Sequence, residues 1–321
     1  MRKSFLVTGA TGYIGRTLIN QLYDAYEDDV AVTAIARDEK KAKSMLPAKT
    51  RIICVDITNT DIMQSVKGHF DYIVHTAAIT ASAYMVSRPV ETADVIVLGT
   101  KNILDLALRS DISGMVYISS MEVYGVINST RQNRISESEL GDIDIYNPRS
   151  CYPMGKRMAE NYCFSYYHQY KLPIKIARLA QTFGRGVSRS DKRVFAQFAR
   201  AVIKGEDIVL HTEGTSMGNY CAIDDALTGI QTLLYDGKDG EAYNIANEEA
   251  TMTIAEMAEM VAREVAAGKI SIRYDIPETN KYGYAADTKL CLSSEKIMNL
   301  GWKPTKNLLD MYRDLIDDWK K

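Results

Sequence analysis

The stretch Ser4–Gly15, SFLVTGATGYIG, runs from an apolar, β-rich segment into a helical one across three glycines, Gly9, Gly12 and Gly15. Glycines at a β-to-α junction allow a tight turn, let a pyrophosphate reach the helix N-terminus, and let helix and strand pack closely. The stretch therefore reads as a dinucleotide-binding loop made by Gly9, Gly12, Tyr13, Ile14 and Gly15.

Working outward, VAVTAIA (30–36), RIICV (51–55), DYIVHTAA (71–78), MVYISS (115–120) and KIARLA (175–180) repeat the β-rich theme, separated by polar or amphipathic segments. That alternation predicts an α/β, doubly wound parallel sheet of Rossmann type. Beyond about Gly184 the pattern loosens. A charged loop, GRGVSRSDKR (184–193), precedes helices at 195–205, 224–236 and 253–265 and one short strand, DIVLHT (207–212). The expected division is a dinucleotide-binding domain over 1–178 and a smaller substrate lobe over 179–321, with interleaved boundaries.

A formal net charge of −2, with no basic block, gives no footprint for nucleic acid or an anionic membrane, so small molecules are the expected partners. No apolar run reaches the length of a membrane span. A cytoplasmic location is expected. Five scattered cysteines and four histidines show no ligand spacing, and no metal is expected.

The end of the second β-rich run bears on the cofactor. An acid there accepts ribose hydroxyls, whereas a base accommodates a 2′-phosphate. The sequence AIARDEKK (34–41) places Ala36 at the acidic position and Arg37, Lys40 and Lys41 after it, which leans from NAD toward NADP. Asp38 could take the ribose instead, or these charges could solvate a helix start. Asp56 and Ile57 fall where a third strand would meet the adenine, with helix capping as the alternative role for Asp56.

Further along, YPMGK (152–156) opens a long helical segment, RMAENYCFSYYHQY. Proline is tolerated in a first helical turn, so Pro153 sets the helix start near Ser150 or Cys151. Tyr152 and Lys156 then share one face. A phenol beside an ammonium is either an ordinary surface pair or an acid/base device.

Together, TGATGYIG, HTAA (75–78), YISSMEVYG (117–125), YPMGK, RLAQTFG (178–184) and KLCLSSEKIMNLGWKP (289–304) resemble the extended short-chain dehydrogenase/reductases, the NAD-dependent epimerase/dehydratase group acting on nucleotide sugars. The resemblance spans nearly the whole chain. It implies that Tyr152 is the catalytic acid/base, that Lys156 holds the ribose and lowers the phenol pKa, and that Ser120 binds the reacting sugar oxygen. It also places Ala77 and Ala78 beside the dinucleotide. Glu122 either acts as a base or orients a sugar hydroxyl, and Gln181 could bind a sugar or phosphate oxygen.

Some positions depart from that pattern. Met121 stands where dehydratases hold a proton donor, Ile96 where asparagine is frequent, and Gly218 where an arginine binds the nucleotide phosphates. Either Arg185, Arg189, Lys192 or Arg193 of the charged loop replaces it, or the substrate is not a conventional nucleotide diphosphate sugar. The expected activity is an NAD(P)-dependent epimerase or oxidoreductase on a nucleotide-linked sugar. An NADPH-dependent keto-sugar reductase, a dehydratase or decarboxylase using Glu122, and a non-catalytic NADP(H) sensor are the alternatives. A homodimer through helices 93–109 and 152–170 is expected, since the second carries more apolar surface than one sheet face can cover.

Overall fold

The crossovers of the N-terminal half build one parallel sheet outward in both directions from its first strand. In the computed structural model, which describes residues 2–127, 129–277 and 288–321, β1 (Lys3–Thr8) leads through the glycine turn into α1 (Tyr13–Tyr26). β2 (Val30–Ala36), α2 (Glu39–Met45), β3 (Arg51–Cys54), α3 (Thr60–Ser65), β4 (Tyr72–His75), α4 (Ser82–Ser87) and α5 (Pro89–Arg109) follow. Then come β5 (Gly114–Ser120), α6 (Cys151–Tyr170) and β6 (Ile174–Leu179). All of these strands pair in parallel.

The second half alternates shorter elements: β7 (Gln181–Phe183), α7 (Val194–Lys204), β8 (Ile208–Leu210), β9 (Met217–Ala222) and α8 (Ile223–Asp236). β10 (Ala242–Ile245), β11 (Asn247–Thr253), α9 (Ile254–Met260), β12 (Ile272–Tyr274), α10 (Glu295–Met298) and α11 (Leu308–Lys320) complete it. β10 returns to the main sheet, whose order is β10-β6-β5-β4-β1-β2-β3. β11-β9-β7 and β12-β8 form two small sheets of the second lobe.

The main sheet is buried on both faces, which is why its strands read as continuous apolar runs rather than alternating ones. Leu18, Ile19 and Leu22 of α1 and Leu227 and Ile230 of α8 pack on one face. Met63 of α3, Ile103 and Leu104 of α5, and Ala159 and Cys163 of α6 pack on the other. A third apolar cluster, with Phe183 stacked on Phe195 at 4.3 Å between ring centroids, fills the second lobe. Among the described residues no helix is long and apolar enough to cross a membrane.

A buried polar network ties α6 to the sheet. The Arg178 guanidinium on β6 donates to the Glu160 carboxylate on α6 at 2.7, 3.0 and 3.2 Å. Ser119 of β5 donates to the same carboxylate at 2.5 Å. Arg178 also donates to the Tyr124 hydroxyl and the Glu137 carbonyl, and Tyr124 donates to Asn244 of β10 at 2.6 Å. Removing one member of a buried ion pair strands the other without water or a counter-charge. Arg178→Met is thus expected to cost about 3–5 kcal/mol in urea unfolding, and a loss below about 1 kcal/mol would show that the network does not anchor α6.

Candidate active site

The sequence-derived positions converge on the C-terminal edge of the parallel sheet, where open α/β sheets form their crevice. Gly9 follows β1 with φ +63°, and a Cβ there would lie 2.6 Å from Thr76 Oγ1 and 2.8 Å from the Ala77 backbone. Cβ atoms on Gly12 and Gly15 would press on the Gly9 carbonyl at 3.0 and 2.6 Å. The first turn of α1, with Tyr13 and Ile14, has no side-chain cap. Bare backbone at a helix N-terminus is a site for an anion, so these residues fit a dinucleotide pyrophosphate. Ala77 and Ala78, half-buried after β4, form the opposite wall.

Arg37 lies exposed at the end of β2. Asp38 accepts from the Lys41 N–H at 2.9 Å as the N-cap of α2, so its carboxylate already serves the helix. Asp56, exposed after β3, accepts from the backbone and hydroxyl of Thr58, while Asn59 caps α3. Ile57 beside it is buried, and its carbonyl accepts from Asn102 at 2.8 Å.

Helix α6 starts at Cys151, one residue before Tyr152, and Pro153 sits in its first turn. Gly155 faces α5, where a Cβ would stand in ordinary contact with Ile96 at 3.4 Å. Ile96 is itself core, which accounts for an apolar side chain where asparagine is common in the resembling family. Lys156 is 2 % exposed, and its ammonium donates to the Ile118 carbonyl of β5 at 2.7 Å. Burial draws its pKa down to about 8 against the opposing charge of Glu160.

The Tyr152 phenol lies close to the Ser120 side chain at the end of β5. Burial and then the Glu122 charge push the phenol pKa up; the Ser120 hydroxyl, Arg149 and Arg193 oppose them. The Lys156 ammonium is 5.9 Å from the Tyr152 ring centroid.

Glu122, in the 3-10 turn Met121–Tyr124, receives a bidentate fork from Arg149, Nη1 to Oε2 at 2.8 Å and Nη2 to Oε1 at 2.9 Å. Sequence reasoning did not single out Arg149. Its place three residues before Tyr152, in the 3-10 turn Pro148–Ser150 that leads into α6, was the available signal. Gln181 opens β7, and its buried Oε1 has no hydrogen-bond partner among the described residues. At Gly218 on β9 a Cβ would meet no described residue within 4 Å.

Three of the four candidate cations are engaged elsewhere: Arg185 with Asp224, Arg189 with the Trp319 carbonyl, and Arg193 with Asp191. Of the four, Arg193 has a charge that reaches Tyr152, and Lys192 is exposed. His75 lies buried between Thr8 at 2.6 Å and Thr100 at 3.1 Å. Burial, with Lys156, lowers its pKa to about 3 and keeps it neutral. Among the described residues no group of three or more His, Cys, Asp and Glu is placed to hold a metal.

Comparison with known proteins identifies the family and the fold. The family model described as "NAD dependent epimerase/dehydratase family" matches residues 5–246. The chain is 29% identical over 308 residues to UDP-glucuronic acid decarboxylase 3 of Arabidopsis thaliana, covering 94% of this chain and 85% of that one. It is 25% identical to UDP-glucuronic acid decarboxylase 1 of Xenopus tropicalis, covering 100% and 73%. Among solved structures, a UDP-glucose 4-epimerase of Thermotoga maritima with UDP-glucose superposes with a TM-score of 0.85 at 20% identity, covering 99% and 98%. A dTDP-glucose 4,6-dehydratase of Bacillus anthracis with NAD gives 0.81 at 21%, covering 99% and 96%. At those identities the structures establish the shared fold.

Proposed function

The chain belongs to the NAD dependent epimerase/dehydratase family, and from that premise we propose that it is a decarboxylase of a nucleotide-linked uronic acid. The observation that carries this reading is the Glu122–Arg149 pair beside Tyr152 and Ser120, next to Met121, which has no proton to give. A 4,6-dehydratase needs a proton donor at that turn for the departing hydroxyl; loss of carbon dioxide needs none. The names of the similar Arabidopsis and Xenopus proteins support the same reading.

When bound in the glycine cradle, the dinucleotide supplies hydride acceptance and return at the sugar carbon. Ser120 holds the oxygen of the reacting carbinol, and Tyr152 exchanges its proton. Once that carbon is a ketone, a carboxylate on the neighbouring carbon is β to it. The bond to the carboxylate then breaks, its electron pair moves toward the carbonyl oxygen, carbon dioxide leaves, and a proton replaces it on carbon. Lys156, in its ammonium form, adds positive charge beneath the phenol and reaches toward the ribose. Arg37 supports a dinucleotide with a 2′-phosphate. Lys192 and Arg193 are the cations we assign to the substrate phosphates in place of an arginine at Gly218, the exposed Arg193 exchanging its Asp191 partner for phosphate.

The second reading is 4-epimerisation, which uses the same Tyr152 and Ser120 and is favoured by the neutral Met121 equally well. We also propose a homodimer through α5 and α6, where Leu98, Met158 and Phe164 are 44, 41 and 51% exposed on neighbouring helices.

Two measurements test these proposals. Purified protein incubated with UDP-glucuronate should release carbon dioxide and a UDP-pentose, and the dinucleotide freed by denaturation identifies the cofactor. Interconversion of UDP-hexose C4 epimers without carbon dioxide would replace the first reading with the second. Sedimentation should give a dimer that Phe164→Glu dissociates, and a monomeric wild type at micromolar concentration would contradict the interface.

A further inference from the structure

We propose that Arg149 is a positioning residue of the acid/base site: its guanidinium fixes the Glu122 carboxylate beside Tyr152 and cancels that carboxylate's charge at the phenol. The proposal rests on the reading of Tyr152 as the acid/base and adds a residue that reading does not need.

The geometry is that of a built pair. Both guanidinium nitrogens face both carboxylate oxygens, at 2.8 and 2.9 Å, with each side chain about a third exposed (32 and 30%). Such a fork fixes orientation as well as charge, which a lysine cannot do. The two partners come from separate elements. Glu122 stands on the turn after β5, two residues beyond Ser120, and Arg149 on the 3-10 turn Pro148–Ser150 that feeds α6. Asn147 accepts from the Arg149 N–H at 3.0 Å and holds that turn, while the Ser150 hydroxyl donates to the Asp144 carbonyl. The ion pair therefore joins the strand end that carries Ser120 to the helix start that carries Tyr152.

Charge at the phenol comes from every side. Glu122 faces it from the turn after β5, Arg149 from the turn before α6, and Arg193 from the start of α7, with the Ser120 hydroxyl close by. Lys156 lies one turn along the same helix, and Tyr117 on β5 also interacts with the phenol electrostatically. Glu122 alone would oppose a phenolate, and Arg149 alone would favour one. Because the two are clamped to each other, the phenol meets a nearly neutral pair whose separate charges act in opposite senses.

The test reads Tyr152 itself. With NAD bound, the tyrosinate absorption at one fixed alkaline pH is measured for each protein and for the same protein carrying Tyr152→Phe, and the difference is the ionised fraction of Tyr152. Glu122→Gln should raise that fraction about threefold and Arg149→Met should lower it about threefold. The double variant should lie near wild type, and Arg149→Lys, which keeps charge but loses the fork, between wild type and Arg149→Met. If Arg149→Met does not fold, Glu122→Gln and Arg149→Lys still fix the sign. Movement of both single variants in the same direction, or of neither, overturns the proposal. The readout needs no turnover, so failure of UDP-glucuronate as a substrate would overturn the decarboxylase reading and leave this one standing on its own measurement.

Discussion

One buried hydrogen bond, from the Lys156 ammonium to the Ile118 carbonyl, sets the geometry on which the site depends. It draws the first turn of α6 onto the end of β5, so that Tyr152 arrives beside Ser120 rather than at the surface. Burying an ammonium is unfavourable, and burial accordingly lowers its pKa to about 8. The sign follows from linkage. The unfolded chain binds this proton more tightly than the folded one, so the cost is fully present below about pH 8 and is relieved as pH rises toward the ordinary lysine value of 10.5. The Glu160–Arg178–Tyr124 network on the next turn of the helix offsets it by locking α6 to β6 and β10.

The dinucleotide half of the molecule was legible in the sequence because its signals are local. Glycines at the first β-to-α turn, continuous apolar strands and a proline in the first turn of α6 each act within a few residues of themselves. The second lobe was less legible. Strands β7 and β10 are three and four residues long, and MGNYCA and NEEATMT of β9 and β11 lack a β-branched run. β10 completes the central sheet although AYNI gives no more signal than a loop. Pairing with β6, and burial of Tyr243 and Ile245, make it a strand.

The candidate site divides in the same way. Tyr152, Lys156 and Ser120 stand in recognisable motifs, and the fold brings them together. Arg149 was missed because its partner is 27 residues away and meets it only after the turn following β5 has packed against α6. Asp38, the alternative ribose acceptor in the sequence, caps α2 through Oδ1. Ile96, where the family pattern often has asparagine, is buried in the apolar core between the sheet and α5 and α6. At Gly218 the surrounding space is open, which leaves the substrate phosphates to the cations of the 184–193 loop in the proposed account.

The central claim is that Tyr152 exchanges the proton of the reacting sugar hydroxyl. Steady-state turnover of Tyr152→Phe, measured alongside its dinucleotide affinity, tests it most directly, because the substitution keeps the ring and removes only the acid/base. The account predicts near-normal dinucleotide binding with turnover reduced on the order of 10²–10⁴-fold. Turnover close to that of the wild type would contradict it.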